Sequence, residues 1–433
     1  MDGKKGSLSL LTSELKRFAQ FLLSELKPKG KIVTPFNVFA TIVLAVAAAI
    51  LTLRFIKGLG AISHFSQFHP WGLWISFNVI TGVAFAGGAY VLTFIVYILH
   101  VKKYHPIIRV TILNGFLAYV FYAGALVLDL GRPLHVINPI IGNSFGVSSV
   151  MFLVAWHFML YMAAEFLEFS PAVAEWLSWR KIRKVLGTLT LGVVIFGITL
   201  STLHQSGLGA LFLMAKGKIH PLWYSEFIPI LFFISSIFAG LSMVIFERSI
   251  SNKVFRRRSS SEVIRTNDDI LVGLAKICAG TMFAYLFLKL LVLVHGQQFS
   301  MLTTPWGYWY LTEVVGFGLI PCVLFTWSVK TKNILLIQIS SAMTLIGIVL
   351  NRLDTSMIAF NWMNPEKYFP SWMEIEITIA VLVVQILVFR WIVNRMPILS
   401  EPPIWAREHK KTVEKIQPIR IKEEQEAWKV SII

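Results

Sequence analysis

The sequence predicts an all-α polytopic membrane protein with ten transmembrane helices, and two observations support this prediction. Of the 433 residues, 56% are hydrophobic and 15% are charged, whereas about 25% of the residues of a soluble protein are charged. Ten stretches are also long and apolar enough to cross a bilayer, which takes about 20 helical residues. Their apolar runs are continuous rather than alternating, so a transmembrane β-barrel is excluded.

The predicted helices follow one another along most of the chain. They span residues 36–57, 71–99, 107–130, 145–169, 185–203, 226–247, 270–294, 308–329, 334–351 and 375–394. Each backbone amide in lipid must be paired within its own segment, so we expect a bundle of spanning helices. Residues 36–396 are therefore the predicted transmembrane domain.

The two tails differ in character from these helices. Residues 7–26 place five apolar side chains on one helical face, namely Leu8, Leu11, Leu15, Phe18 and Leu22. This pattern predicts an amphipathic helix on the membrane surface, and we interpret residues 1–35 as a cytoplasmic amphipathic tail. Residues 397–433 form a basic tail, which is also predicted to be cytoplasmic.

Lysine and arginine residues are concentrated in the tails and in the loops that follow even-numbered helices. The loop after the sixth helix carries Lys253, Arg256, Arg257, Arg258 and Arg265. The positive-inside rule then predicts a multi-pass protein of the cytoplasmic (inner) membrane with both termini in the cytoplasm. The net charge of +17 is dispersed over these segments, which does not indicate nucleic-acid binding.

Cysteine and histidine positions predict the cofactor content. Cys278 and Cys322 both lie inside predicted helices, and the sequence has no CxxC motif, so neither an iron–sulfur cluster nor a c-type haem is expected. A b-type haem would need two histidines at matched depth. His157 is mid-helix, whereas His204 is predicted at an outer helix end, about 15–20 Å away along the membrane normal. We therefore predict no haem and no metal site.

Polar side chains inside a membrane are costly and are functional candidates for that reason. On the third predicted helix, Tyr119 and Asp129 share one face. On the fourth, His157, Tyr161 and Glu168 form a stripe that leads toward the cytoplasmic end. The stripe is the predicted proton path.

Two charged residues of the second half of the chain are predicted to neutralise each other. Lys289 and Glu313 lie at similar depth on consecutive helices. We interpret them as a structural ion pair, which is the usual way to hold opposite charges in a membrane.

The stretch "ITLSTLHQSGLGALF" places three hydrogen-bonding side chains in a row after a long apolar run. His204, Gln205 and Ser206 are predicted to cap the fifth helix at the outer membrane surface. They could form part of a binding site there, or they could only satisfy the last carbonyl groups of the helix.

Several longer phrases resemble a known family. They are "HPWGLWISFNVITGVAFAGGAYVLTFIVY", "LVLDLGRP", "STLHQSGLGALF", "HPLWYSEFIPILF", "VIFE" and "NRLDTSMIAFN…YFPSWMEIEI". Together they resemble the NrfD/PsrC (polysulfide reductase membrane subunit) family, and most of all its HybB-like branch. The resemblance implies two four-helix bundles, at about 71–206 and 226–352, flanked by the first and last helices.

The resemblance also implies a function. It implies exchange of electrons between the menaquinone pool and a periplasmic iron–sulfur partner, with exchangeable menaquinone and no haem in this chain. Asp129, Arg132 and His204 match the family's outer quinone region by position, and Tyr119 and Gln205 are expected beside them. His204 would bond a quinone oxygen while Asp129 orients the imidazole ring, and these two are the predicted catalytic residues.

The implied partners are a periplasmic ferredoxin-like iron–sulfur subunit and either [NiFe]-hydrogenase or multihaem cytochrome c subunits. Hydrogenase members of the family carry a glutamate where this chain has Leu153. His157, one turn further inward, could substitute for that glutamate. This departure makes a multihaem cytochrome complex about as well supported as a hydrogenase.

Two other classes of function are open from the residues alone. Buried charges and internal repeats such as "HPWGLW" (69–74) and "TPWGYW" (304–309) are typical of a secondary transporter, although no predicted helix is visibly broken near its midpoint. A purely structural membrane anchor would not need polar groups such as Asp129, His157 and Glu247 inside the membrane.

Overall fold

The computed structural model describes residues 16–141, 149–254, 266–400 and 403–406. Within these ranges, ten helices are long and apolar enough to cross a membrane, which confirms the predicted all-α fold class. They are α1 (Pro35–Lys57), α2 (Trp74–Ile98), α3 (Lys102–Asp129), α4 (Val150–Trp176), α5 (Arg180–Ala215), α6 (Ile228–Val254), α7 (Asn267–His295), α8 (Pro305–Thr331), α9 (Ile334–Ile358) and α10 (Trp372–Val393).

Helix starts follow local sequence signals. The Thr34 side chain accepts a hydrogen bond from the backbone N–H of Asn37, and Pro35 occupies the first position of α1, where its missing N–H has no cost. At the start of α10, Ser371 and Glu374 form a reciprocal capping box.

Helix α5 is longer than the sequence predicts. It continues through the polar stretch and ends at Ala215, not near residue 203. The hydroxyl groups of Thr199, Thr202 and Ser206 donate to carbonyl oxygens four residues earlier, at 2.6 to 3.0 Å. Such bonds let hydroxyl side chains sit inside a helix, so the drop in hydropathy does not end it.

Three spanning helices contain π-helical turns. They occupy Trp74–Thr81 in α2, Thr312–Leu319 in α8 and Asp354–Ile358 in α9, and a further one ends α2 at Phe94–Ile98. π-turns inside α-helices are frequent at functional sites. The second and third of them carry the buried carboxylates Glu313 and Asp354.

The helices pack in two neighbouring sets. Within the first, α2 contacts α3, α3 contacts α4, α4 contacts α5 and α5 contacts α2; within the second, α6 to α9 make the equivalent contacts. Helices α1 and α10 pack on each other, and α10 also lies against α3. These are the contacts that two flanked four-helix bundles would make, although the bundle arrangement itself stays an interpretation.

Glycines bring the two sets into close contact. A Cβ atom on Gly240 of α6 would lie 2.0 Å from the backbone nitrogen of Gly88 in α2. Only residues without a side chain allow two helix backbones to approach this closely. The contact of α2 with α6 is therefore specified by glycine at both positions.

The loops that follow odd-numbered helices meet at one end of the molecule, which we call the distal face. There the backbone of Ile219 pairs with that of Phe360, and the Trp71 indole N–H donates to the carbonyl of Ser356 at 2.9 Å. The opposite end, which we call the terminal face, carries both described chain ends.

The predicted amphipathic tail is described only from residue 16. Residues 16–26 are helical. Phe18 stacks on Trp179 with ring centroids 6.4 Å apart, and Phe21 contacts Trp176 at a tilt with centroids 5.5 Å apart. Leu8, Leu11 and Leu15 lie outside the described residues, as does most of the basic tail. The surface-helix interpretation of residues 1–35 stays a prediction.

Candidate functional site

A cluster of rings occupies the interior of the first helix set. Tyr119 of α3 lies 4.7 Å from Tyr161, 5.1 Å from Phe158 and 5.9 Å from His204, measured between ring centroids. Phe158 is also 5.4 Å from the His204 ring. Tyr119, Tyr161 and His204 are each at most 1% exposed. The three helices α3, α4 and α5 therefore present their aromatic side chains to one buried point.

Three polar atoms at this point have no hydrogen-bond partner within the described part of the chain. They are the Tyr119 hydroxyl, the Ser201 hydroxyl and Nε2 of His204. Ser201 and Gln205 both adjoin the Tyr119 hydroxyl. Buried polar groups are nearly always bonded to protein or water. The Tyr119 and Ser201 hydroxyls are close enough to interact with each other, so Nε2 of His204 is the atom that indicates a place where a polar ligand binds.

Backbone contact fixes the tautomer of His204. Its Nδ1 atom lies 3.2 Å from the carbonyl oxygen of Val154 in α4. A carbonyl can only accept, so Nδ1 carries the proton, and Nε2 of the neutral ring is left as an acceptor. The imidazole is thus held with a free lone pair directed into the buried site.

The three polar residues of the HQS stretch have different roles, which the sequence did not distinguish. The Gln205 amide donates to the carbonyl of Val83 in α2 at 2.8 Å, which ties α5 to α2. Ser206 bonds only within its own helix. His204 alone turns an unbonded polar atom toward the ring cluster.

The predicted depth of His204 is wrong. The residue lies eleven positions before the end of α5 at Ala215, which is about 16 Å along the helix axis. His204, Gln205 and Ser206 therefore do not cap a helix at the membrane surface. The physical reason is the continuation of α5 through its polar stretch.

The predicted pairing of Asp129 with His204 is also wrong. Asp129 lies ten residues beyond Tyr119 on the same helix, or about 15 Å along the axis, whereas Tyr119 contacts His204. The imidazole is oriented by the carbonyl of Val154 instead. Asp129 is 9% exposed, and its Oδ1 atom has no partner in the described residues.

Asp129 belongs to a separate polar group at the distal face. Glu374 and Arg54 are its charged neighbours. Glu374 is fully buried and accepts bonds from the backbone N–H of His64 at 3.1 Å and from the Tyr368 hydroxyl. Burial and the nearby Glu374 carboxylate raise the pKa of Tyr368. Arg54 donates to the carbonyls of Leu128 and Leu130 and so caps the end of α3.

Arg132 was predicted beside the same site, but its side chain is exposed. It precedes the short helix Pro133–Ile137, and its carbonyl accepts the N–H of His135 at 3.0 Å. An exposed side chain beyond Asp129 cannot contact the buried Tyr119 and His204. The predicted set of five quinone-binding residues therefore divides into a buried group and a distal group.

The predicted stripe on α4 has one member that the sequence analysis missed. Glu165 lies between Tyr161 and Glu168 and interacts electrostatically with both. It is 1% exposed, and the Tyr161 hydroxyl lies within reach of its carboxyl group. Its spacing of four from Tyr161 and three from Glu168 places it on the same helical face, and that signal could have identified it.

The other members of the stripe are less enclosed. His157 is half-buried with Nδ1 unbonded, and Glu168 is half-buried with Oε1 facing Gly197 of α5. Leu153 is 44% exposed on the outer surface of α4. A glutamate at this position would therefore lie on the side of the helix that faces away from the ring cluster.

At the terminal face the stripe reaches an ion-pair cluster. Glu175 accepts two hydrogen bonds from Arg109, at 2.6 and 2.9 Å, and a third from Arg183 at 2.7 Å. Its side chain is fully buried, whereas both arginines are 24% exposed. Three charge-assisted bonds from two helices hold this carboxylate strongly.

The predicted ion pair in the second helix set is present. Lys289 Nζ lies 4.0 Å from Glu313 Oε1. Glu313 also accepts from the Trp223 indole at 2.6 Å and from the Asn351 amide at 2.7 Å. All four side chains are buried, so the pair is part of a bonded network and not an isolated contact.

A second buried cation and acid extend this network. The Arg352 guanidinium donates to Ser235 Oγ at 2.7 Å and lies 3.5 Å from the centre of the Phe232 ring. Asp354 accepts from the Trp309 indole at 2.8 Å. Asp354 also lies within hydrogen-bonding reach of Glu313, so the two acids belong to one buried network.

At the distal face, His220 lies among the rings of Trp223, Trp306 and Trp362, at 4.7 to 5.6 Å. Burial lowers the pKa of His220 to about 4. The ring is therefore neutral at physiological pH, and its Nδ1 atom accepts the backbone N–H of Leu222. This histidine has a packing role.

Depth does not separate the two histidines of the first helix set. Phe158, the residue next to His157, has its ring 5.4 Å from the His204 ring, which contradicts the 15–20 Å separation along the membrane normal expected from the sequence. The prediction of a haem-free chain consequently loses that support. Within the described residues, no group of three or more His, Cys, Asp or Glu side chains could hold a metal ion.

We still expect the isolated subunit to show no stoichiometric b-type α-band. The His204 ring is enclosed by Tyr119 and Phe158, and its Nδ1 atom is already bonded to Val154. Reduced-minus-oxidised absorbance spectra of the chain, separated from its partners, provide the measurement. A band that disappears in both His157→Ala and His204→Ala would show that the two residues are axial ligands.

Comparisons with known proteins agree with the resemblance read from the sequence. The family profile described as "Polysulphide reductase, NrfD" matches residues 60–359. A protein of Nitratidesulfovibrio vulgaris strain Hildenborough is 41% identical over 380 residues, which cover 87% of this chain and 98% of that relative.

Two relatives with more specific names are more distant. The "Probable Ni/Fe-hydrogenase 2 b-type cytochrome subunit" of Escherichia coli K12 is 28% identical over 384 residues, covering 88% of this chain and 96% of the relative. A selenate reductase subunit of Mesobacillus selenatarsenatis is 21% identical over 412 residues, covering 84% of this chain and 94% of the relative.

Proposed function

Because this chain belongs to the NrfD family of polysulphide reductase membrane proteins, we propose that it is the integral membrane subunit of a respiratory oxidoreductase complex. In that complex it exchanges electrons between the menaquinone pool and a periplasmic iron–sulfur partner. The observation that carries the proposal is the unbonded Nε2 atom of His204, which lies buried among aromatic rings with the Tyr119 and Ser201 hydroxyls nearby.

The side chains at this point are of the kinds that hold a quinone head group. Its ring is flat and apolar, and Tyr119, Phe158 and Tyr161 offer aromatic surfaces against which such a ring packs. The Tyr119 hydroxyl can donate to one quinone oxygen, and the unbonded Nε2 atom of His204 can accept from a hydroxyl group of the reduced quinone. When bound, a quinone supplies the two-electron, two-proton chemistry that amino-acid side chains lack.

The tautomer of His204 gives it a specific role. Its Nε2 atom is an acceptor, because Nδ1 donates to Val154. It can therefore accept a hydroxyl proton from the reduced quinone as a general base. In the opposite direction the protonated imidazole would return that proton, with Nδ1 still bonded to Val154. The Tyr119 hydroxyl can donate to the second oxygen.

Protons need a route between this site and one membrane surface. Tyr161, Glu165 and Glu168 extend from the ring cluster toward the terminal face, with His157 beside them. Tyr161 and Glu165 are almost completely buried. We propose these residues as the first part of the proton path, with Glu165 added to the three members that the sequence suggested.

The proposed partners follow from the family and from the names of two relatives. These names refer to a Ni/Fe-hydrogenase and to a selenate reductase. We propose that a ferredoxin-like iron–sulfur subunit, with a [NiFe]-hydrogenase or multihaem cytochrome c subunit, docks at the distal face, which would be periplasmic.

The experiment is purification of the complex in mild detergent, followed by electron transfer from its own donor to a menaquinone analogue. We expect quinone-dependent turnover and co-purification of redox subunits. A complex that assembles and reduces a soluble acceptor, but shows no quinone-dependent turnover, would contradict the proposal and favour a purely structural anchor.

Orientation is a separate prediction. A reporter that is active only outside the cytoplasm should be silent when fused after Lys181 or at the C-terminus, and active when inserted at Lys218. The reason is the excess of lysine and arginine in the tails and in the loops of the terminal face. An active C-terminal fusion would place the distal face in the cytoplasm.

A further inference from the structure

A small cavity lies between the first helix set, α6 and α10. Its volume is about 20 Å³, and its walls include Gly88, Ala89, Asn114, Gly115, Glu247 and Gln385. A cavity needs about 10–15 Å³ to hold one water molecule, which also needs two to four polar partners. The volume therefore suits a single water, provided that the walls supply polar groups.

The walls do supply them. Glu247 of α6 accepts a hydrogen bond from the Asn114 amide of α3. The Oε1 atom of Gln385 in α10 is buried and has no partner among the described residues. The Glu247 carboxyl group and the Gln385 carbonyl oxygen can therefore both bond to a water in this cavity.

The same cavity borders the buried carboxyl of the first helix set. A Cβ atom on Gly115 would lie 2.5 Å from Glu165 Oε1 and 2.6 Å from the Cβ atom of Ala89. Any side chain at position 115 would therefore occupy the gap between the cavity and Glu165. Glycine leaves α3 open at this position, with Glu247 on one side and Glu165 on the other.

We propose that Glu247 and Glu165 are the two ends of a water-bridged proton relay that crosses α3 at Gly115. The relay rests on the proposed function, because it serves the proton exchange of the quinone site. Tyr161 connects Glu165 to Tyr119 and thus to His204.

Each step moves one proton and no electron. When the site releases a proton, protonated Glu165 gives it to the cavity water, and that water passes one of its own protons to the Glu247 carboxylate. Water is regenerated, Glu165 becomes the carboxylate and Glu247 the acid. Glu247, which is half-buried and lies seven residues before the terminal end of α6, then releases its proton to water at the terminal face, and Glu165 takes the next proton from the site through Tyr161. The two protons of one quinol pass in succession in this way, and uptake follows the same steps in reverse.

Protons could leave the first helix set through Glu247 or along α4 to its terminal end. The surroundings of these two routes favour Glu247. Beyond Glu168 the next acid is Glu175, which two arginines hold as a carboxylate. A carboxylate with two cationic partners is a poor proton acceptor. The bond from the neutral Asn114 amide places no such restriction on Glu247.

The test uses the whole complex in vesicles, with Glu247→Gln as the main variant. Glutamine keeps the shape of the side chain but cannot carry a proton. We expect quinone-dependent turnover to fall at least about tenfold, below the full effect of losing a positioned acid–base group. The solvent deuterium isotope effect should rise, because proton transfer becomes rate-limiting, and electron transfer to a soluble acceptor should not change.

Gly115→Ala tests the gap itself, and Gly124→Ala on the same helix is its matched control. A Cβ atom on Gly124 meets nothing within 4 Å. We expect slow turnover with a raised isotope effect for Gly115→Ala and ordinary turnover for Gly124→Ala. If Gly115→Ala fails to assemble, Glu247→Gln and Glu165→Gln carry the test alone.

The possible results test the proton relay and the quinone site separately. If Glu247→Gln turns over within about twofold of the unmodified complex with the same isotope effect, while His204→Ala is inactive, the relay is wrong and the proposed function stands. If His204→Ala is also near normal, the proposed quinone site is wrong. A larger effect for Glu168→Gln than for Glu247→Gln would move the exit to the terminal end of α4.

Discussion

Replacing His204 with alanine is expected to lower quinone-dependent electron transfer by about 10²–10⁴-fold, the usual contribution of a positioned acid–base group. The variant removes the only ring of the cluster whose unbonded nitrogen can accept a proton, among the residues that the structure describes. The measurement is turnover with a menaquinone analogue by the assembled complex.

Ser206→Ala is the matched control for this variant. Ser206 lies two residues away on α5, and its hydroxyl bonds only the carbonyl of Thr202 in its own helix. It should therefore leave turnover unchanged. Both variants should still transfer electrons to a soluble acceptor, which reports on the partner subunits.

Near-normal quinone turnover in His204→Ala would show that the buried ring cluster is not the quinone site. The next place to examine would be the second helix set, where Lys289, Glu313 and Asp354 lie close together. In that case His204 would only hold α5 against α4 through its bond to Val154.

Glu313→Ala is expected to destabilise the protein by about 3–5 kcal/mol, the typical cost of breaking a buried ion pair on one side. The change leaves Lys289 charged and 6% exposed. It also removes the acceptor of the Trp223 indole and of the Asn351 amide. Thermal unfolding of the purified complex in detergent provides the measurement.

Glu226→Ala is a suitable comparison for Glu313→Ala. Glu226 also pairs with a lysine, Lys216 at 3.8 Å, but both side chains are 75% exposed. Such pairs contribute about 0–1 kcal/mol. The double variant Lys289→Met, Glu313→Gln should recover part of the lost stability, because it removes the unpaired charge. Equal effects of Glu313→Ala and Glu226→Ala would contradict the buried-pair interpretation.

Much of the fold follows from the sequence because the bilayer makes the constraints local. Each helix must bond its own backbone amides and expose apolar side chains to lipid, so a run such as 36–57 determines α1 without knowledge of its neighbours. The pairing of Lys289 with Glu313 is predictable for the same reason, since opposite charges at equal depth in a membrane have few other partners.

The position of the candidate site did not follow from the sequence. Hydropathy cannot distinguish a polar stretch that ends a helix from one that stays inside it. Thr202 and Ser206 keep α5 helical by bonding its own carbonyls, and this continuation places His204 against Val154 instead of Asp129. Those partners depend on how far each helix extends and on which helices it contacts.

Glu165 and Glu247 are a second case in which the sequence does not predict the neighbours of a buried polar residue. Both are acids in apolar segments, but only Glu247 was a candidate from the sequence, which does not indicate that Gly115 of a third helix separates the two. The chain therefore specifies its helices, their number and their charge balance by itself, because those depend on local bonding and on lipid. The tertiary structure alone decides which buried polar groups face one another, because their partners lie on helices that are distant in sequence.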